Sequence, residues 1–222
     1  MLKIWGRAEA LCAQRVLWSC EELHLPFRRF DPDRTYGVKP AGPLADEPIP
    51  LVDERGLTVW EPNALMRYLF AQFGPRVPPS QRRLTDNWVE WTTSSLLPGL
   101  RLMAASLMRL RADHPDGLLA RRADECAGHL VKLDDALAAS PFIAGDELTV
   151  ADVAAGVAVW FWTTTAPDRP NLHRLSLWLE RLKLRTGFER HVARPLAPHR
   201  TVTGTPATSR SRGSAGTLAP AG

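Results

Sequence analysis

The spacing of apolar and polar positions changes character near residue 75. Before it, segments are short and of mixed period. Leu2–Trp5 alternates and predicts a strand. Leu11, Val16, Leu17, Cys20 and Leu23 recur at helical spacing and predict a helix over 10–23. Pro26–Phe30 reads as a second strand. Residues 31–48 hold Pro32, Gly37, Pro40, Gly42, Pro43 and Pro48, too many breakers for regular structure. Two strands follow, at 50–52 and 57–60, with Gly56 suited to a positive φ in the turn between them. Glu61-Pro62 opens a helix to about Phe73, with Pro62 at the first helical position, where a missing N–H costs nothing.

Past Gly74-Pro75-Arg76-Val77-Pro78-Pro79 the helical period takes over. Helices are predicted over 81–108 with a kink at Pro98, then over 117–139, 149–164 and 172–186, with Gly187 as the last C-cap. Thr149-Val150-Ala151-Asp152 fits a capping box, a structural role that gives Asp152 no part in catalysis. The pattern predicts an α/β unit over 1–74, a linker over 75–80, an all-α unit over 81–193 and a tail over 194–222.

Composition changes this picture little. The chain has 222 residues, 45% hydrophobic and 23% charged, as expected of a globular protein with room for two modest cores. No apolar run approaches the roughly 20 residues of a membrane span, and none resembles a signal peptide, so a cytoplasmic location without membrane association is expected. The pI of 9.3 is less telling than it looks. The net charge of +4 equals the contribution of Arg194, Arg200, Arg210 and Arg212, and no acidic residue follows Arg194. The body is therefore neutral, which argues against nucleic-acid binding. The Thr-, Ser-, Gly-, Ala- and Pro-rich tail is expected to be disordered. Three cysteines, Cys12, Cys20 and Cys126, fit no metal-ligand spacing and predict reduced thiols. No metal site is expected.

Four strings carry a family resemblance. They are Ile49-Pro50-Leu51-Val52, Glu61-Pro62-Asn63-Ala64-Leu65-Met66-Arg67-Tyr68-Leu69, Phe142 to Asp152, and Asn171 to Val192 with Trp178, Arg181 and Phe188. In this order they resemble the glutathione S-transferases. The resemblance covers about residues 1–193. It implies a thioredoxin-like α/β N-terminal domain, an all-helical C-terminal domain, a homodimer, and glutathione as co-substrate in detoxification of apolar electrophiles.

The resemblance also assigns roles. Ile49, before a proline that is cis in the family, would pair its backbone with glutathione, and Pro50 would shape that turn. Glu61 would help hold the ammonium, and the helix beginning at Pro62 would receive the γ-glutamyl carboxylate on its N-terminus. Three departures stand against this. Pro62 replaces the usual serine and removes both hydroxyl and N–H. Asp46-Glu47-Pro48 replaces a lysine-bearing string, with Arg34 or Lys39 as possible compensating cations. Ala10 occupies the position of the thiolate-stabilising hydroxyl. Cys12, two residues on, is the candidate catalytic thiol, because a helix N-terminus lowers a thiol pKa. Glu9 works against this, and a buried apolar role facing the sheet is the other reading.

Trp91, Ser95 and Met103 are candidates for the second-substrate pocket, with Leu96, Met108, Trp160 and Phe161 as further lining. Apolar residues at helical spacing also make core, and both readings stand at this point. Hydrogen bonds to charged groups contribute roughly 1.5–3 kcal/mol each, so losing two or three would weaken glutathione about a hundredfold or more. The functional readings are thus a glutathione transferase, a non-catalytic binding or scaffold protein of the same fold, and a Cys12-centred thiol reductase lacking a nearby resolving cysteine.

Overall fold

The computed structural model describes residues 1–6, 8–30, 51–52, 56, 58–59, 61–110, 117–166 and 169–194. A four-stranded sheet forms in the order β2-β1-β3-β4, from β1 (Leu2–Trp5), β2 (Phe27–Phe30), β3 (Leu51–Val52) and β4 (Thr58–Val59). β1 and β2 run parallel, with Leu2 opposite Phe27 and Trp5 opposite Phe30. β3 lies antiparallel to both β1 and β4, with Ile4 opposite Leu51 and Leu51 opposite Val59. Gly56 has φ +82°, the left-handed conformation expected of it between β3 and β4.

Helix α1 (Leu11–Glu22) returns the chain from β1 to β2, and α2 (Pro62–Phe73) packs beside it. Ala13, Val16, Leu17 and Cys20 of α1 meet Leu65 and Leu69 of α2 and Leu2 and Ile4 of β1 in one buried cluster. Burial then accounts for two of the thiols. Enclosure, helped by Glu21, pushes Cys20 up to about 12. Burial likewise pushes Cys126 up to about 11, so neither offers a thiolate near neutral pH.

The helical part begins with α3 (Pro79–Trp91), where Pro79 sits in the first turn. The break expected at Pro98 lies upstream of it. Residues Thr92–Leu96 form a π-helical turn, and α4 (Leu97–Leu110) follows. Pro98 has no N–H to return to the Ser94 carbonyl. The Leu97 N–H reaches back to Thr92 O, and the hydroxyls of Thr92, Thr93 and Ser94 bond to Trp88 O, Val89 O and Glu90 O at 2.8, 3.0 and 2.9 Å. The widened stretch contains Ser94, whose carbonyl Pro98 leaves without its usual helical donor, while the Thr92 N–H still reaches Trp88 O.

Helices α5 (Gly117–Ala136), α6 (Val150–Thr165) and α7 (His173–Lys183) complete the bundle. α6 is buried along most of its length and forms the axis of the larger core. Its cap is the expected box. Asp152, fully buried, accepts from Thr149 N–H and Ile143 N–H at 2.8 and 2.9 Å, and from the Trp178 indole at 2.9 Å.

Gly187 is not the C-cap of α7. That helix ends at Lys183, Arg185 is extended, and a short helix α8 (Thr186–Phe188) leads into a second π-helical turn, Glu189–Ala193. Packing explains the change. A Cβ on Gly187 would lie 2.6 Å from Trp18 Cδ1, so the glycine permits close approach to α1. Around that contact, Arg185 pairs with Glu22, Arg190 bonds Glu21 at 2.6 Å, and His191 lies 3.4 Å from Glu21. The C-terminal end of the bundle is thereby clasped to α1. On the other side, Arg67 of α2 bonds Asp86 at 2.9 Å and also Glu90, both on α3.

Candidate functional site

Two helix starts come together at the junction of sheet and bundle. α1 begins at Ala10, an extended N-cap with φ −72° and ψ 126°, and no side chain caps it. A methyl group can satisfy none of the first-turn N–H groups, which leaves that end suited to an anion. Cys12 lies in this first turn, half-buried, and packs against the sheet-side cluster. It takes part in no disulfide.

α2 begins at Glu61, extended with φ −101° and ψ 124°. Its carboxylate Oε2 accepts from Ala64 N–H at 2.7 Å and so acts as a side-chain cap. Pro62 follows at the first helical position and brings no donor. The next residue, Asn63, is 5% exposed and held at both ends of its amide. Its Oδ1 accepts from Arg15 Nη1 at 3.2 Å, and its Nδ2 donates to Thr93 Oγ1 at 2.7 Å. Arg15 is itself buried, one turn beyond Cys12 on α1. The start of α2 is therefore wired to α1 on one side and to the π-helical turn of the bundle on the other.

Sequence reasoning missed Arg15, Asn63 and Thr93. Their signal was a polar residue amid otherwise apolar positions of α1, and an asparagine inside the first turn of α2. Ile49 and Pro50 lie outside the described residues, as do Arg34, Lys39 and the string 46–48, and so does the tail from residue 195.

The three pocket candidates separate. Trp91 is half-buried, edge-on to Trp88 at 5.0 Å and to His129 at 6.3 Å. Ser95 is half-buried within the π-helical turn. Met103 has no exposed surface and sits in the bundle core with Leu96, so it lines no open cleft in this structure. Phe161 is also core, and Trp160 is half-buried against Phe188. A cleft near the far end of α2, lined by Phe70, Gly74, Arg76, Arg82 and Val150, lies away from both helix starts. Among the described residues, no group of three or more His, Cys, Asp or Glu could hold a metal ion, and no helix is long and apolar enough to cross a membrane.

Known proteins share this arrangement. A family model described as the C-terminal domain of glutathione S-transferase matches residues 116–192. Glutathione S-transferase GstB of Escherichia coli K12 is 30% identical over 215 residues, covering 89% of this chain and all of the relative. The chain belongs to the glutathione S-transferase family. The theta class glutathione S-transferase of the citrus canker pathogen Xanthomonas axonopodis pv. citri, solved with glutathione bound, superposes with a TM-score of 0.78 at 28% identity. That match covers 86% of this chain and 96% of the other. Its apo form gives a TM-score of 0.74. The family fold, a thioredoxin-like unit followed by an all-helical one, is the architecture described above.

Proposed function

We propose that this family member is a glutathione transferase that adds the glutathione thiolate to an apolar electrophilic small molecule. The observation that carries the reading is the full-length correspondence with a relative named as a glutathione S-transferase. A binding protein without transferase chemistry is not favoured by relatives so named.

In this reading residues 1–74 hold glutathione, 75–80 link, and 81–193 supply the wall for the electrophile. The tripeptide lies across the two helix starts. Ile49 pairs its backbone with the ligand beside Pro50. The second carboxylate oxygen of Glu61 faces the ammonium while the first caps Ala64. The α2 end beginning at Pro62 receives the γ-glutamyl carboxylate through the dipole and the donors left to it. The thiol sits over the uncapped start of α1, beside Cys12, where first-turn N–H groups favour the thiolate. Trp91 and Ser95 lie on the electrophile side, with Met103 behind them as support. A cytoplasmic homodimer is part of the same proposal.

Calorimetry with glutathione, and with S-hexylglutathione alongside, tests it. A dissociation constant between micromolar and low millimolar is expected, followed by conjugation of apolar electrophiles. No heat from either ligand at about 10 mM, where a millimolar site would be largely filled, overturns the reading.

A further inference from the structure

Helix α2 offers an incoming carboxylate few backbone donors. Pro62 has no N–H, Ala64 N–H is taken by Glu61 Oε2, and Leu65 N–H is taken by Glu61 O. Among the described residues, the Asn63 N–H is the one first-turn donor of α2 with no acceptor. The same residue is fixed by its side chain to two other elements, Arg15 of α1 and Thr93 of the π-helical turn. The Thr93 hydroxyl is in turn anchored, donating to Val89 O at 3.0 Å. That turn carries Ser95 and follows directly on Trp91.

We propose that Asn63, clamped between Arg15 and Thr93, is a positioning residue: the clamp aims its backbone N–H at the γ-glutamyl carboxylate and couples that contact to the electrophile-side turn. The inference rests on the glutathione reading above and deepens it. An asparagine amide can hold a donor and an acceptor at once, which is what tying α2 to both neighbours requires. An apolar residue here would leave the first turn of α2 with the Glu61 cap but no side-chain hydrogen bond to α1 or to the π-helical turn. The π-helical turn has a matching purpose. Its widened ladder sets Thr93 at the domain junction, whereas the hydroxyl's bond to Val89 O keeps it from swinging to solvent. Glutathione and electrophile are then bound by surfaces that share one hydrogen-bonded chain, buried at Arg15–Asn63 and half-buried at Thr93, so tightening one end restricts the other.

The test uses Thr93, which bonds the Asn63 side chain but is assigned no contact with either ligand. Thr93→Val removes the hydroxyl at nearly constant volume, and Thr93→Ser restores it. Losing this half-buried hydrogen bond is expected to raise the glutathione dissociation constant about three- to tenfold in Thr93→Val, with Thr93→Ser within about twofold of the parent. The electrophile KM is expected to rise with it. A purely structural contact would lower the melting temperature and leave both constants unchanged in the folded protein, and that result overturns the proposal. If Thr93→Val does not fold, Asn63→Ala keeps the backbone N–H and the Thr93–Val89 bond while breaking the clamp, and an unchanged glutathione constant there overturns it equally. Failure of the parent protein to bind glutathione removes the underlying reading instead, so the two failures are told apart by the parent alone.

Discussion

Replacing Asp152 with asparagine tests how the start of α6 is held. The carboxylate is fully buried and receives four hydrogen bonds. Oδ1 accepts from Ile143 N–H and the Trp178 indole, and Oδ2 accepts from Thr149 N–H and Thr149 Oγ1–H at 2.8 and 3.1 Å. In Asp152→Asn the Oδ1 partners can be kept, but an amide NH2 then faces the Thr149 N–H. Two charge-assisted bonds are lost, worth roughly 3–6 kcal/mol together. Burial itself pushes this carboxyl above the usual range, so removing the charge returns part of that loss. A net cost of about 2–4 kcal/mol remains, a large share of the roughly 5–15 kcal/mol that stabilises a typical domain.

Urea unfolding followed by tryptophan fluorescence should show a lower midpoint at unchanged slope. Asp152→Ala should cost more still, because it also strands the Ile143 N–H and the Trp178 indole N–H. A shift under about 0.5 kcal/mol for Asp152→Asn, or an alanine variant no worse than the asparagine one, would refute the account.

Two further outcomes follow from buried polar groups. Gln14 is fully buried with neither amide atom hydrogen-bonded, so Gln14→Leu should raise the melting temperature by about 2–4 °C in a thermal melt; a lower value would mean that the amide has a partner. His191 is held below its ordinary pKa, chiefly by burial, with Glu21 opposing and Arg190 and Arg29 adding to the depression. Its contribution to stability is therefore full above the unfolded pKa of about 6.5 and lost as pH falls through the folded value. Melting temperatures measured from pH 7.5 down to about 5 should fall less steeply for His191→Gln than for the parent, and equal slopes would remove His191 from the acid response.

Local chemistry made much of this molecule legible in its sequence. Pro62 after Glu61 marked the start of α2, Gly56 marked a turn that needs positive φ, and Thr149 to Asp152 announced the cap of α6. Each is a case where a few adjacent atoms decide the conformation, so no distant partner has to be known. The change from mixed period to helical period near residue 75 carried the two-part architecture in the same way. Of the candidate site, Cys12, Glu61 and Pro62 could be set at helix starts from sequence, because caps and first turns have their own signature.

What depended on distant packing could not be read this way. Met103 has the same spacing whether it lines a cleft or fills a core, and the neighbours that enclose it lie on other helices. The break in the long helix spans Thr92–Leu96, upstream of Pro98, around the Ser94 carbonyl that the proline leaves without its helical donor. Gly187 read as a helix stop, yet its absent side chain serves Trp18, far away in the chain. Arg15, Asn63 and Thr93 belong to three separate elements, and no local pattern links them. The sequence alone determined which segments would be helix or strand, since hydrogen bonds between near neighbours and the period of burial set that. Only the tertiary structure decided which polar groups meet at the junction, because a buried hydrogen bond between distant residues exists only once both elements have packed.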